Sequence, residues 1–439
     1  MSKKLKILTI SDHPLSPSGV GTQSRYVCES LLKTGKYQII SLGGALIHGD
    51  NRPMKFHEYG DDWVLFPIQG YGNQDLIRSA IRTHKPDILW FMTDPRFFTW
   101  LWEIENEIRS LVPILYYHVW DNYPYPKFNR LFYQSTDYIA TISKVTSDIV
   151  RTVAPNVEEC YLPHSVNTNI FKRLSEDKRM ALRNENFPEE KDKMIFFWNN
   201  RNARRKQSGT LIWWFKEFLD IIGHDKAMLL MHTDPKDENG QDLNAIINEL
   251  GLTNRQVLIS QNKLPPEYMA GLYSAVDCTI NISNAEGFGL ATFESLACET
   301  PIIVTLTGGL QEQVVNMKNI AMSQKYVDER NICDNKIIKC DHGIGIVPSS
   351  CSVIGSQLVH FIYEDVISKN DFINALIKFY NSSKEEKLEW GKKGREYILE
   401  NYNFENFAAK WDEIITHVHD KHGSWENRKL YKSWELKTF

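Results

Sequence analysis

The stretch Asn284 to Glu299, NAEGFGLATFESLACE, carries the residue types best suited to chemistry. It follows an apolar run and leads into helical spacing, and Gly287 and Gly289 remove the side chains that would hold a ligand away from the backbone. Exposed N–H groups at a helix start attract anions. Glu286 precedes that start and Glu294 lies about one turn inside it. An ionised carboxylate only accepts hydrogen bonds, which suits it to gripping hydroxyl pairs such as those of a sugar or a ribose. The same segment also reads as a plain strand-to-helix turn with Glu294 a solvated helical charge. Other segments decide between the two readings.

WNNRNARRKQ supplies Arg201, Arg204, Arg205 and Lys206 in one loop. A nucleoside diphosphate leaves with two negative charges, and fixed cations placed where that charge develops stabilise the transition state. Arg201 and Lys206 would replace a metal, because no two aspartates are separated by a single residue and the DxD signature of metal-dependent transferases is absent. Gly19 and Gly21 in SPSGVGTQS have Ser24 where a dinucleotide fingerprint would place its third glycine, and SLGG offers no acidic partner for a ribose. They read better as a loop whose amides approach a diphosphate or an acceptor. His118 ends the apolar strand PILYYHV, and WDNYPYP follows, so the imidazole is placed to touch a sugar and Trp120, Tyr123 and Tyr125 to stack on an acceptor. His118 reads equally as a satisfied core histidine. Asp12 and His13 are loop residues of the same kind. Cys333, Cys340, His342 and Cys351 have spacings that match no compact zinc pair, so they read as loop thiols and no metal is expected.

These residues hang on a repeated alternation of elements. LKILTIS opens it at Leu5, and strands YQIISLGG, PDILWFM, PILYYHV, YIATIS and ECYLP follow with helices between them. A charged stretch from His164 to Lys193 then reads as a linker with a short helix. The series resumes at MIFFWNN and runs through AMLLMHT, QVLIS, CTINIS and PIIVTL. Alternation of this kind argues for parallel sheets covered on both faces, and two such sheets imply a cleft between them. The expected domains are residues 1–165, a linker at 166–192, a second domain at 193–402 with an excursion near 326–356, and a closing helix and tail at 403–439. With 439 residues, 42% hydrophobic and 24% charged, two cores fit the length. A formal charge of −4 gives no basic face for nonspecific nucleic-acid binding. The start MSKKLKILTI lacks the pattern of a signal peptide, no apolar run approaches a membrane span, and seven cysteines fit reduced thiols, so a soluble cytoplasmic protein is expected.

With SGVGTQSRYV, LPHSVNTNIF, RNARRK, LYSAVDCTINIS and above all EGFGLATFESLACETPIIVTLTGG in view, the chain resembles glycosyltransferase family 4, retaining enzymes of the GT-B fold. The resemblance implies two Rossmann-like domains, a nucleotide-diphosphate sugar donor and no metal or cofactor. Glu286 would contact the donor sugar and Glu294 the ribose, with Gly287, Phe288, Gly289 and Leu290 completing that side. Arg201 and Lys206 would bind the diphosphate, Gly19 or Gly21 would lie near the phosphates or acceptor, and His118 would hydrogen-bond the transferring sugar. Asp12, Trp120 and Tyr123 are the acceptor candidates. The acceptor itself, whether glycan, lipid, protein or modified nucleobase, carries no readable motif. His164 and Ser165 stand where the family usually has Asn-Gly. The family's closing helix crosses back onto the first domain, which would suit the stretch around Trp411. An epimerase or a phosphorylase on the same architecture, or a silent nucleotide-sugar-binding subunit, are the alternatives.

Overall fold

The computed structural model describes residues 3–45, 52–314 and 337–434. The chain forms two units, one of Met1–Trp120, Tyr125–Ser165 and Glu405–Phe439, the other of Asp121–Pro124 and Val166–Phe404.

In the first unit the strands are β1 (Leu5–Asp12), β2 (Tyr37–Gly44), β3 (Met54–Lys55), β4 (Trp63–Pro67), β5 (Ile88–Met92), β6 (Ile114–His118), β7 (Tyr138–Thr141) and β8 (Glu159–Tyr161). They lie in the order β3-β4-β2-β1-β5-β6-β7-β8, parallel except where β3 meets β4. Every residue of ILWFM in β5 and of ILYYH in β6 is buried, the mark of a parallel strand covered on both faces. The covering helices include α1 (Gly19–Lys33), α2 (Gln74–His84), the short α3 (Thr99–Trp102), α4 (Glu105–Leu111) and α5 (Arg130–Gln134), and α6 (Lys144–Val153). Ser18, Asn73 and Ser143 cap α1, α2 and α6 by accepting from backbone N–H groups of the first turn. No strand is expected from sequence between Gly44 and Gln74. WVLFP forms one all the same, because β2 offers it an edge, and Pro67 at its end disguises it. The strand order reverses between β1 and β5, so the loops after these two strands flank a crevice at their carboxyl ends.

The second unit repeats the plan. Strands β9 (Met194–Asn199), β10 (Ala227–His232), β11 (Val257–Ser260), β12 (Cys278–Asn281), β13 (Ile302–Thr305), β14 (Ile337–Cys340) and β15 (Gly343–Ile346) form one sheet in the order β11-β10-β9-β12-β13-β15-β14, and β16 (Ser350–Ile354) and β17 (Ile362–Val366) form a separate hairpin. Helices α7 (Glu176–Asn186), α8 (Ser208–Ile222), α9 (Leu243–Glu249), α10 (Pro266–Ala275) and α11 (Leu290–Ala297) precede two more, Lys369–Asn381 and Lys384–Asn401. Phe196, Trp198, Phe215, Phe218, Phe372, Phe379 and Trp390 anchor the core. Here the order reverses between β9 and β12, which places the loops after those strands side by side.

Two stretches are more structured than their composition suggests. The charged linker carries α7, whose buried Arg183 pairs with Asp277 at 3.0 Å and donates to the carbonyl of Lys191 at 2.9 Å. Within the expected excursion, residues 326–336 lie outside the described residues, but GIGI of β15 is a fully buried strand of the main sheet, parallel to β13. Its alternating glycines dilute the strand signal. The helix Phe404–His422 buries Trp411 completely, edge-on to Tyr117 at 4.9 Å and to Trp90 at 6.0 Å.

Candidate active site

At the reversal of the second sheet, the loop after β9 closes with a single turn, Arg204–Lys206, before α8 begins. The loop after β12 runs through Asn284–Gly289 into α11. Backbone bonds tie the two loops and their neighbours: Asn284 N–H donates to the Arg205 carbonyl at 2.8 Å, and Gly309 N–H, after β13, donates to the Glu286 carbonyl at 2.9 Å. Arg205 donates from its guanidinium to the carbonyl of Ala285. Arg204 grips Glu364 of β17 in a two-pronged ion pair, at 2.8 and 2.6 Å.

These ties bring Lys206 and Glu286 together. Lys206 is 7% exposed, and its Nζ meets Glu286 Oε2. The Arg205 guanidinium lies 3.5 Å from the same oxygen. Burial pushes the Lys206 ammonium well below its ordinary value and Arg205 adds to that push, while the Asp121 carboxylate opposes it. The Glu286 carboxylate in contact with Nζ acts in the same sense as Asp121, favouring the charged amine. Asp121 itself is raised to about 6, first by burial, with Arg205 and Lys206 pulling the other way.

Gly289 caps α11 in the left-handed conformation, φ +88°, where a side chain is strained, and a Cβ there would stand 2.3 Å from Leu310. No side chain caps the helix, so its first amides point outward from the turn as hydrogen-bond donors. Gln313 donates to the carbonyls of Phe288 and Gly289 at 2.6 and 3.0 Å and accepts from Thr292 at 2.7 Å, pinning the turn from behind. Phe288 is buried edge-on against Phe293 and Tyr402. It therefore packs beneath the loop. Leu290 opens α11.

Glu294, one turn along α11, accepts from the buried Tyr273 hydroxyl at 3.0 Å, and that hydroxyl accepts from Asn199 at the end of β9 at 2.9 Å. Burial lifts Glu294 to about 7, with the Tyr273 bond opposing. Arg201 stands apart from this group. It is bound by Asp237 at 2.6 and 3.1 Å and its side chain is 61% exposed, while Asp237 is lowered to about 2 by that pairing. The cation that accompanies Lys206 at Glu286 is thus Arg205. Tyr273, Asn199, Gln313 and Asp121 were not singled out from sequence. Asp121 lies inside WDNYPYP, Asn199 inside WNNRNARRKQ and Tyr273 inside LYSAVDCTINIS, so only Gln313 falls outside the segments quoted above.

In the first unit, Asp12 ends β1 and is fully engaged, accepting from Ser18 at 2.5 Å and Tyr71 at 2.7 Å. Gly19 begins α1, but the Gly21 N–H is spent on the Ser18 cap at 2.9 Å, and a Cβ on Gly21 would meet Ser16 at 2.3 Å. Gly21 serves tight closure of the loop. His13 is buried and its Nδ1 accepts from Leu15 N–H at 3.1 Å. His118 is wholly buried at the end of β6. Its Nδ1 accepts from Trp120 N–H at 3.3 Å, and its Nε2 has no hydrogen-bond partner among the described residues. Burial holds it at about 3, so it is a neutral imidazole with its proton on Nε2. Trp120 is 6% exposed, under the guanidinium of Arg96 at 5.1 Å, which packs its ring inside the unit and away from stacking partners in solvent. Tyr123 stacks on Tyr363 within the second unit, centroids 5.7 Å apart. Tyr125 is half-buried.

Among the described residues no group of three or more His, Cys, Asp or Glu could hold a metal ion. Cys333 lies outside them. His342 bonds the Gln313 carbonyl at 2.6 Å and Cys351 is exposed. No helix among the described residues is long and apolar enough to cross a membrane.

Known proteins point the same way. Residues 179–332 match the family model described as glycosyl transferases group 1. The chain is 38% identical over 68 residues to the D-inositol 3-phosphate glycosyltransferase of Corynebacterium jeikeium and 36% over 72 residues to that of Acidothermus cellulolyticus, each match spanning 16% of this chain and 16% of the relative. Among solved structures, sucrose-phosphate synthase from Thermosynechococcus elongatus covers 95% of this chain and 100% of its own with TM-score 0.72 at 17% identity. Anabaena HepE in complex with UDP-glucose covers 94% of this chain and 100% of its own, with TM-score 0.65 at 13% identity. The chain therefore has the fold of GT-B glycosyltransferase structures, two Rossmann-like domains with parallel sheets, and carries a stretch that matches the group 1 model.

Proposed function

We propose that this chain is a glycosyltransferase of the family 4 type, which moves a glycosyl group from a nucleotide-diphosphate sugar to a hydroxyl-bearing acceptor, with retention and without a metal. The observation that carries the reading is the cluster at the sheet reversal of the second unit: Lys206 and Arg205 against Glu286, beside the uncapped start of α11. Two cations and a helix N-terminus suit a diphosphate, and a carboxylate at their edge suits sugar hydroxyls. Glu294, steadied by Tyr273, is the acceptor for the ribose diol. The matched group 1 model and the UDP-glucose complex of the HepE neighbour support the same donor class.

The bond from the anomeric carbon to the diphosphate oxygen breaks, and the acceptor oxygen bonds that carbon from the same face. The acceptor's proton passes to the departing phosphate. Lys206, Arg205 and the α11 amides stabilise the charge that develops on the diphosphate, in a site where burial strengthens each interaction.

The test is an assay of nucleoside diphosphate release from UDP, ADP and GDP sugars with and without acceptor panels. Release that depends on acceptor is expected. Isomerised donor without release would mark an epimerase, and donor binding with neither transfer nor hydrolysis would mark a binding subunit.

A further inference from the structure

We infer that Glu286 competes with the product's diphosphate for Lys206, so that the site holds a nucleotide sugar in preference to the free nucleoside diphosphate and expels the product. The inference rests on the donor-site reading above and adds a selectivity to it.

Lys206 is buried, and its Nζ lies against Glu286 Oε2, with the Arg205 guanidinium 3.5 Å from the same oxygen. Asp121 also faces both cations, and Arg204 is committed to Glu364. A diphosphate can engage Lys206 fully only by drawing it off Glu286. What happens to Glu286 then depends on the ligand. A nucleotide sugar presents hydroxyl donors to the carboxylate in place of the ammonium, so its hydrogen bonds are exchanged and none is lost. A nucleoside diphosphate presents none, and leaves a half-buried carboxylate beside phosphate charge with its nearest partner withdrawn and only Arg205, at 3.5 Å, to answer it, which is costly. After transfer the sugar departs, Glu286 reclaims Lys206, and the diphosphate's hold weakens.

The prediction is a change of opposite sign in two affinities. The full chain would be titrated calorimetrically with UDP, ADP and GDP and with UDP-glucose, ADP-glucose and GDP-glucose at fixed ionic strength, as wild type and as Glu286→Gln. With the competing charge removed, the nucleoside diphosphate of the preferred base binds about tenfold more tightly, while its sugar binds about tenfold more weakly. Should the variant weaken both ligands alike, or leave the nucleoside diphosphate unchanged, the competition is refuted while the donor site stands. If the wild type binds none of the six ligands, both fall together. Should Glu286→Gln fail to fold, Glu286→Asp, which keeps the charge but draws it back from Lys206, carries the same expectation with smaller amplitude.

Discussion

Lys206 and Glu294 show how burial turns ordinary charged side chains into site residues. Lys206→Ala removes one cation from the place where diphosphate charge develops, and the expected loss is about 3 kcal/mol of barrier, roughly a hundredfold in kcat, read from initial rates. Melting should move little by comparison, since Glu286 keeps Arg205 as a partner. Glu294 is raised to about 7 in the folded chain from an ordinary 4.5. A carboxyl raised on folding contributes stability below its unfolded value and loses it as pH climbs through the folded one. Melting temperature should therefore fall between pH 4.5 and 7 by a component that Glu294→Gln abolishes. If Glu294 accepts from a ribose diol as a carboxylate, donor affinity should rise over the same interval in the wild type and be flat in the variant. Titrations at several pH values check both.

At the scale of elements, the turn into α11 is where sequence and structure agree most closely. The turn at Gly287 and Gly289 was legible because glycines between an apolar run and helical spacing mark a strand-to-helix junction, and φ +88° at Gly289 with Leu310 behind it is the physical form of that signal; that Glu286 and Glu294 serve a ligand there belongs to the proposal. Gly289→Ala should cost about 1 to 3 kcal/mol of unfolding free energy and blunt donor binding, measured by denaturant titration beside calorimetry. Lys206 was legible as one of a run of cations, but which arginine accompanies it was not. Arg201 and Arg205 have the same chemistry four residues apart, and only the packing of the chain shows that Arg205 meets Glu286 while Arg201 pairs with Asp237. Tyr273 and Asn199 were invisible for a similar reason: a tyrosine in an apolar helix and an asparagine at a strand end become a hydrogen-bonded support only when β9, α10 and α11 pack. The edge strand β4 and the glycine-diluted β15 were obscured because their pairing partners, not their own residues, make them strands.

Across the whole molecule, the alternation of strands and helices sufficed to read two parallel sheets, since fully apolar runs such as ILWFM have no other stable place. The tail of the chain is less plain from composition, yet Trp411 fills the space beside Trp90 and Tyr117 in the first unit. Trp411→Ala should destabilise that unit by about 3 to 5 kcal/mol. Hydrogen exchange would show lost protection in β5 and β6 while the amides of β9 and β12 keep theirs. The central claim concerns the second unit, where two cations, a carboxylate pair and an uncapped helix start meet at the sheet reversal. Calorimetric titration of the wild type and of Lys206→Ala with UDP-glucose, ADP-glucose and GDP-glucose tests it most directly. The account predicts that one of these donors binds the wild type and that the variant binds it about a hundredfold more weakly; binding that is indifferent to the loss of Lys206 would contradict it.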